Sequence, residues 1–566
     1  MCDYTFHPDV WEERYDAAAV PTDDRPCSRP TIPGSKFCKY HAETADRRQN
    51  GKSDDEVFLD LLSEEEDIFG AKFQDVKIRA GDLEGVDREW VELKNVVIHN
   101  SLRIEAATLN IQLTFNCCDI YRYKERETIS TSYLEFDSCW FQDEFVINPA
   151  ETSADILFNN SHFTTPLLMS GNYGGSVSFH CCSLEKGAAI WNAKFNGEFR
   201  FEDGSVDDDL LIDDVDLKED FKLTDVDLPA VNIISDCNIN SIKCNPEDGY
   251  PSLVDFRKGT TLHSGRLLVL ESESVYYDLS LTTIGNIHLS TGVDDLANYY
   301  FEDTRFDGFD FFPYRTQLEA EDFQLHIFDF PYNETDNHEI NDYPQISSQR
   351  EVDGSDKGKL KDQEETYARA KIQAQNMGAS RFASEFFFNQ KEAELLRMKD
   401  DLTLSEETLQ EFEIDREFVP ERFNKLVRYR GQLYSDICTN FSIWVKKLKY
   451  KGLKYSCGYG EKASYPIYWS VSIVVIFGLL YPFVGGTTQS GSIIVGSCTS
   501  DCLGLIELLS IFGESLFFSG ITFASLSFGG NGPVGILAQL MAMIQAFLGA
   551  LFIALFVFTL GRQVSR

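Results

Sequence analysis

Four residues near the N-terminus are of the types that bind a transition metal: Cys2, Cys27, Cys38 and His41. Cys38 and His41, spaced as Cys-x2-His within CSRPTIPGSKFCKYH, offer two ligands from one turn of chain. Cys27 and Cys2 complete a Cys3His set, the donor composition of structural zinc, in which thiolates and imidazole close a tetrahedron and leave no open position for catalysis. His7 is the rival fourth ligand. So short and apolar-poor a segment needs a staple to fold, and we expect a small zinc-binding unit over residues 1–50.

A second stretch offers chemistry through its backbone. FFSGITFASLSFGGNGPVG, residues 517–535, places three glycines within four residues (529–532) and a proline between two strongly apolar runs. Backbone that is not helical is tolerated at bilayer depth only where it lines a water-filled path or is buried in protein. Thr522, Ser525, Leu526, Ser527, Phe528, Gly529 and Gly530 are therefore the candidate residues for holding an ion by carbonyl and hydroxyl oxygens.

The elements that must position this stretch are apolar spans. Ile467–Val484 carries no charge and is long enough to cross about 30 Å of hydrocarbon. Tyr465, Tyr468 and Trp469 stand at one end and Tyr481 at the other, the places where interfacial aromatics belong. Ile536–Leu560 is equally uncharged, and no Lys or Arg lies between Lys462 and Arg562. The preceding WVKKLKYKGLKYSCGYGEK has six lysines, which by the positive-inside rule puts the N-terminal side in the cytoplasm. The run 503–528 has two open routes. As a third crossing it would place Arg562 and Arg566 outside; as a helix that enters and turns back it leaves both termini inside. The charge pattern and the glycines favour the second. The Gly-Tyr-Gly at 458–460 precedes the first span among lysines and reads as a tight turn.

Span, short helix, glycine loop and second span together resemble the two-transmembrane pore module of the potassium-channel family, over residues 463–566. The resemblance implies a plasma-membrane protein with cytoplasmic termini and an ion path shared by four copies, because two spans cannot enclose one alone. It also implies a monovalent cation among the carbonyls of the filter and a bend of the inner helix at Gly549. The family's filter reads T-x-G-Y-G-D; here Ser525, Ser527, Phe528 and Gly530 replace its Thr, first Gly, Tyr and Asp. A non-glycine at positive φ costs about 1–3 kcal/mol, so Ser527 leads us to expect a relaxed filter.

Upstream, apolar residues recur every five positions. Phe73, Ile78, Leu83, Leu93 and Ile98 form one column, and Ala71, Val76, Gly81, Val86, Val91 and Val96 the column two residues before it. The pattern returns at Phe158, Phe163 and Leu168, at Val177-x-Phe179 with Cys182-x-Leu184, at Phe221-x-Leu223, Val226-x-Leu228 and Val231-x-Ile233, and at Thr304-x-Phe306 with Phe309-x-Phe311. Neither the helical nor the strand period gives five. The columns resemble the pentapeptide-repeat β-helix, a right-handed β-solenoid whose square coil has four five-residue sides, and imply one over residues 66–330. Residues 331–365 read as an acidic linker. Residues 366–462 read as a helical connector, similar to one in salt-adapted archaeal membrane proteins with pentapeptide repeats; its Phe386, Phe387 and Phe388 read as packing residues.

The chain has 51 basic and 91 acidic residues, a formal charge of −40, nearly all of it before the spans. Such an excess repels phosphate and argues against nucleic acid as a general partner, and it suits solubility in high salt. The fourteen cysteines form no disulfide framework and read as reduced, several as small core fillers. GxxxxGK[ST], HExxH and GxSxG are absent, so no enzyme is expected. The leading expectation is a lipid-embedded, tetrameric, channel-like protein whose acidic rod takes an unidentified ligand or protein. The alternative is a non-conducting, membrane-anchored scaffold; a weaker third reading has the acidic rod mimicking DNA.

Overall fold

A computed structural model describes residues 1–12, 22–325, 356–410, 445–484, 505–524, 533 and 535–564. Within 22–325 it leaves out 65, 80–81, 83–85, 87, 106–107, 110–111, 127–129, 132, 150, 230, 247–251, 257–258, 270–274 and 291–294. The chain divides into two compact units: residues 1–351 with 372–379, and 352–371 with 380–566.

The first unit is dominated by a β-solenoid of about nine turns over residues 72–306, built from parallel strands. After the first coil, partners are 21 to 23 residues apart: Leu113 lies against Leu134, Leu134 against Ile156, Val177 against Phe199 and Asn238 against Thr261. Four five-residue sides would give twenty. The extra residues sit at corners. One corner is a left-handed residue repeated once per coil at Asn95, Cys117, Ser138, Asn160, Cys181, Asp203 and Asp225, with φ between 46° and 54°. Asn and Asp tolerate this region because a short polar side chain can hydrogen-bond locally. Each such N–H donates to the neighbouring coil, as from Asn95 to Asn116 O (2.9 Å), Ser138 to Asn159 O (2.8 Å) and Asp225 to Asn245 O (2.8 Å).

The five-residue columns mark the core where no corner intervenes. Ala71, Phe73, Val76, Ile78, Val91, Leu93, Val96 and Ile98 are all buried, as are Phe158, Phe163, Val177, Phe179, Cys182, Leu184, Phe221, Leu223, Val226 and Leu228. Phe115, Phe136, Phe158 and Phe179 stack at 5.0, 5.1 and 4.7 Å between ring centres. Beyond a corner the phase slips by one: Leu167 and Met169 point inward rather than Leu168, and Ile234 rather than Ile233. Cys118, Cys139, Cys182 and Cys237 each follow a left-handed corner residue and are buried, so small size is what selects them.

Residues before 72 cap the first coil. The helix Asp54–Leu62 opens with a capping box between Ser53 and Glu56 and buries Val57, Phe58, Leu61 and Leu62. Phe58 meets Phe73 edge-on at 5.3 Å. Buried Arg47 pairs with Asp54 at 2.6 Å and donates to Ala42 O at 2.6 Å. A solenoid end exposes a raw edge and core, and this cap covers one of them.

Beyond the solenoid in sequence, helices span Asp356–Asn376, Ser380–Gln410 and residues 445–457. The first begins inside the stretch expected as linker: Lys, Glu, Gln and Ala are strong helix formers even where apolar residues are few. Two further helices, Ser464–Val484 and Ile536–Val564, are long and apolar enough to cross a membrane, and Leu505–Phe523 lies between them in sequence.

Candidate functional sites

The N-terminal donors converge. Cys2, Cys27, Cys38 and His41 bring their ligand atoms within 4.8 Å of one another. Cys27 Sγ lies 3.7 Å from Cys38 Sγ, and His41 Nδ1 lies 3.2 Å from Cys38 Sγ and 3.6 Å from Cys2 Sγ. Ligands about 2.3 Å (sulfur) and about 2.0 Å (nitrogen) from a tetrahedral ion stand about 3.4–3.8 Å apart, so these four could hold a metal ion. Local backbone explains the convergence. Thr5–Phe6 pairs antiparallel with Arg25–Pro26, which brings Cys2 and Cys27 together, and the N–H groups of His41 and Ala42 turn back onto Cys38 O. The Cys38 N–H donates to Cys2 Sγ at 3.1 Å.

His41 is oriented for the purpose. Its Nε2 lies 2.9 Å from Phe69 O, and since a carbonyl only accepts, that nitrogen carries the proton and Nδ1 presents its lone pair to the sulfurs. Tyr4 stacks on the ring at 3.8 Å. Burial lowers His41 to about 4 and pushes the Cys38 thiol up to about 12; a dication would supply the charge that thiolates need there. His7, the rival ligand, is 56% exposed and faces Asp24 at 3.1 Å, away from the cluster.

The three apolar helices pack on one another. Tyr481 O–H bonds Gln545 Oε1 at 2.8 Å, Gln545 Nε2 donates to Ser519 O at 3.1 Å, and Ser519 Oγ donates to Val474 O at 2.7 Å. All three side chains are fully buried, so this chain of bonds ties the helices together where water is absent. Tyr481, at the end of the first span, is buried among the helices, where Gln545 satisfies its hydroxyl. Gln545, a polar residue in an uncharged span, was the signal for this network.

Two glycines set the closest approaches. A Cβ on Gly478 would stand 2.8 Å from Leu516 Cδ1, and one on Gly549 would stand 1.9 Å from Phe523 O. Gly549, expected as a hinge, is the seat for the end of the middle helix. Thr522 is buried and spends its hydroxyl on Phe518 O at 2.8 Å, within its own helix. Ser525, Leu526, Ser527, Phe528, Gly529 and Gly530 lie outside the described residues.

The packing also fixes helix directions. Phe483 neighbours Phe512 and Ser519 reaches Val474, so the middle helix runs antiparallel to the first. Phe518 packs with Ala538 and Ala542, Ser519 with Gln545 and Phe523 with Gly549, so it runs parallel to the last. The first and last helices are antiparallel, Arg562 pairing with Glu461 at 2.8 Å. Glu461 follows the turn Gly458–Gly460, whose residues all have positive φ (54°, 56° and 84°), a role only glycine fills easily on both sides of Tyr459. Tyr459 donates to Glu392 at 3.0 Å and meets Phe388 edge-on; Arg562 lies over Phe387 at 5.0 Å and Lys462 over Phe388 at 4.7 Å. Burial, then the Glu392 carboxylate, hold the Tyr459 phenol protonated well above its ordinary range.

Fold and sites define a β-solenoid protein with a four-donor cluster in its cap and two candidate membrane-spanning helices. Comparison with protein families, curated proteins and solved structures finds no match to this chain.

Proposed function

We propose that the chain is a channel-like membrane protein, its last hundred or so residues forming one quarter of a tetrameric cation path and its acidic solenoid serving as a cytoplasmic regulatory rod. The observation that carries the reading is the ion pair between Glu461 and Arg562. It puts the entry of the first span and the exit of the last on one side, which an odd number of crossings forbids. Support also comes from helix direction. The middle helix runs beside the last one in the same sense and ends level with Gly549, about 20 Å along that helix from Ile536. Ala524 and Gly535, which bound the filter candidates, therefore lie at opposite ends of that length. In this reading the filter candidates Ser525 to Gly530 line the path, with lipid around the outward apolar side chains of both spans. With the lysine-rich entry read as cytoplasmic, our reading is a multi-pass plasma-membrane protein with cytoplasmic termini and with Gly549 as both seat and bend.

The ion we propose for Cys2, Cys27, Cys38 and His41 is structural zinc, holding the cap on the first coil. The test of the pore is reconstitution of detergent-extracted protein, with subunits counted in particle images and current recorded in bilayers. Fourfold particles passing monovalent cations with weak selectivity are expected. Monomers overturn the reading, and well-folded tetramers without current replace it with the scaffold.

A further inference from the structure

One outward column of the solenoid breaks the charge rule of the rest. Arg200, Lys222, Lys243, Arg266 and His288 occupy the same register position in five successive coils. Adjacent coils are about 4.8 Å apart. Earlier members of the same column are Glu135, Leu157 and Ser178, so the basic run is confined to the later coils. Arg200 and Lys222 share the Glu198 carboxylate, and Lys222 also meets Asp220 at 3.4 Å. Lys243, Arg266 and His288 are exposed and have no acidic or hydrogen-bonding partner among the described residues. The neighbouring column, Glu198 and Asp220 in the first two coils, changes to Ser241, Ser264 and Asn286 beside these three.

Like charges directly opposite one another in a ladder repel, so this stacking lowers stability unless something neutralises it. In a chain of net −40, acids to do so were available and are absent from the flanking column. We propose that Lys243, Arg266 and His288, with Ser241 and Asn286 as neutral donors, form a binding strip for a compact polyphosphate anion. Arg offers a fork that fits phosphate oxygens in pairs, Lys a compact charge, and the amide and hydroxyl fill the remaining lone pairs. A compact ligand is favoured over nucleic acid because a long polyanion would feel the acidity of the whole rod. A soluble polyphosphate and a phosphorylated lipid headgroup share this chemistry. The inference is independent of the pore reading, since binding is measured without ion flux.

The test uses full-length protein in detergent, titrated with inorganic tripolyphosphate and separately with a soluble inositol polyphosphate headgroup. Saturable binding at about 50 mM salt that weakens steeply toward about 500 mM is expected, with the tighter of the two probes naming the source. Lys243→Ser/Arg266→Ser should weaken binding at least tenfold, while Lys194→Ser, on another column, should leave it unchanged. Without ligand the double variant should melt about 1–3 °C higher, because the repulsion is gone. Equal affinity of wild type and double variant, absence of saturable binding, a lower melting temperature, or binding of a single-stranded oligonucleotide without either probe overturns the proposal.

Discussion

Arg562 holds the carboxylate of Glu461 at 2.8 Å, with the Glu461 side chain only 2% exposed and Arg562 30% exposed. A charge buried to that degree needs its partner. Arg562→Gln should destabilise the helical unit by about 3 kcal/mol, because it leaves an uncompensated carboxylate. Adding Glu461→Gln should recover most of the loss by removing that charge. Thermal melts of the single and double variants in detergent check this; a double variant no better than Arg562→Gln would show that the pair does not join the two helix ends.

Gly549 distinguishes a seat from a hinge. Alanine is the better helix former, by about 0.8–1.0 kcal/mol, so Gly549→Ala would stiffen and slightly stabilise a helix in which the glycine only bends. Because a Cβ there would stand 1.9 Å from Phe523 O, a backbone atom that cannot swing away, the helices must separate. The expected outcome is a loss of about 1–3 kcal/mol, read from the same melts.

The buried network should be non-additive. Tyr481→Phe leaves Gln545 Oε1 without its donor and Gln545→Leu leaves Tyr481 and Ser519 without theirs, at about 0.6–1.7 kcal/mol each. The double variant should cost less than the two together, since each single change already breaks the bond they share. Full additivity in a double-mutant cycle would mean that Tyr481 and Gln545 do not interact.

How far sequence carried the fold depends on which contacts set each position. Phe73, Phe158 and Phe179 were legible because a flat side of a coil repeats its inward residues at fixed intervals, whatever the neighbouring coils do. Leu168 and Ile233 were misplaced because corner residues insert between sides, and a left-handed Asn, Cys or Ser looks like any other polar or small residue in a string. The four candidate donors were legible by type alone; choosing Cys2 over His7 required the pairing of Thr5–Phe6 with Arg25–Pro26. Tyr481 and Gln545 were illegible as a pair, since they come from helices far apart in the chain and only packing joins them.

The metal cluster should be required for the cap and not for the coils. Zinc is expected at one ion per chain by elemental analysis, with Cys38→Ser or His41→Gln reducing it to a trace. Loss of the ion removes the staple of residues 1–50, so strong chelation should open that segment to protease while the solenoid stays intact. Full-length protein with no bound metal and a protease-resistant N-terminus would exclude the site.

Acid should also loosen the cap, through carboxylates that are not ligands. Burial alone would raise Asp60, but hydrogen bonds and charge from Lys39 and Lys52, both at 2.9 Å, outweigh it and hold Asp60 below the usual carboxylate range. Glu64 is likewise held low against burial by Tyr40 and Arg29. A carboxyl depressed in the folded state contributes stability that is complete above its unfolded value, near 4, and that drains away as pH falls through the folded one. Hydrogen exchange should therefore show residues 54–62 opening below about pH 4 while strands around Phe136 and Phe158 remain protected. Asp60→Asn should flatten that acid limb and lower stability at neutral pH, where the wild-type carboxylate is charged and paired; an unchanged limb in the variant would assign acid sensitivity to other groups.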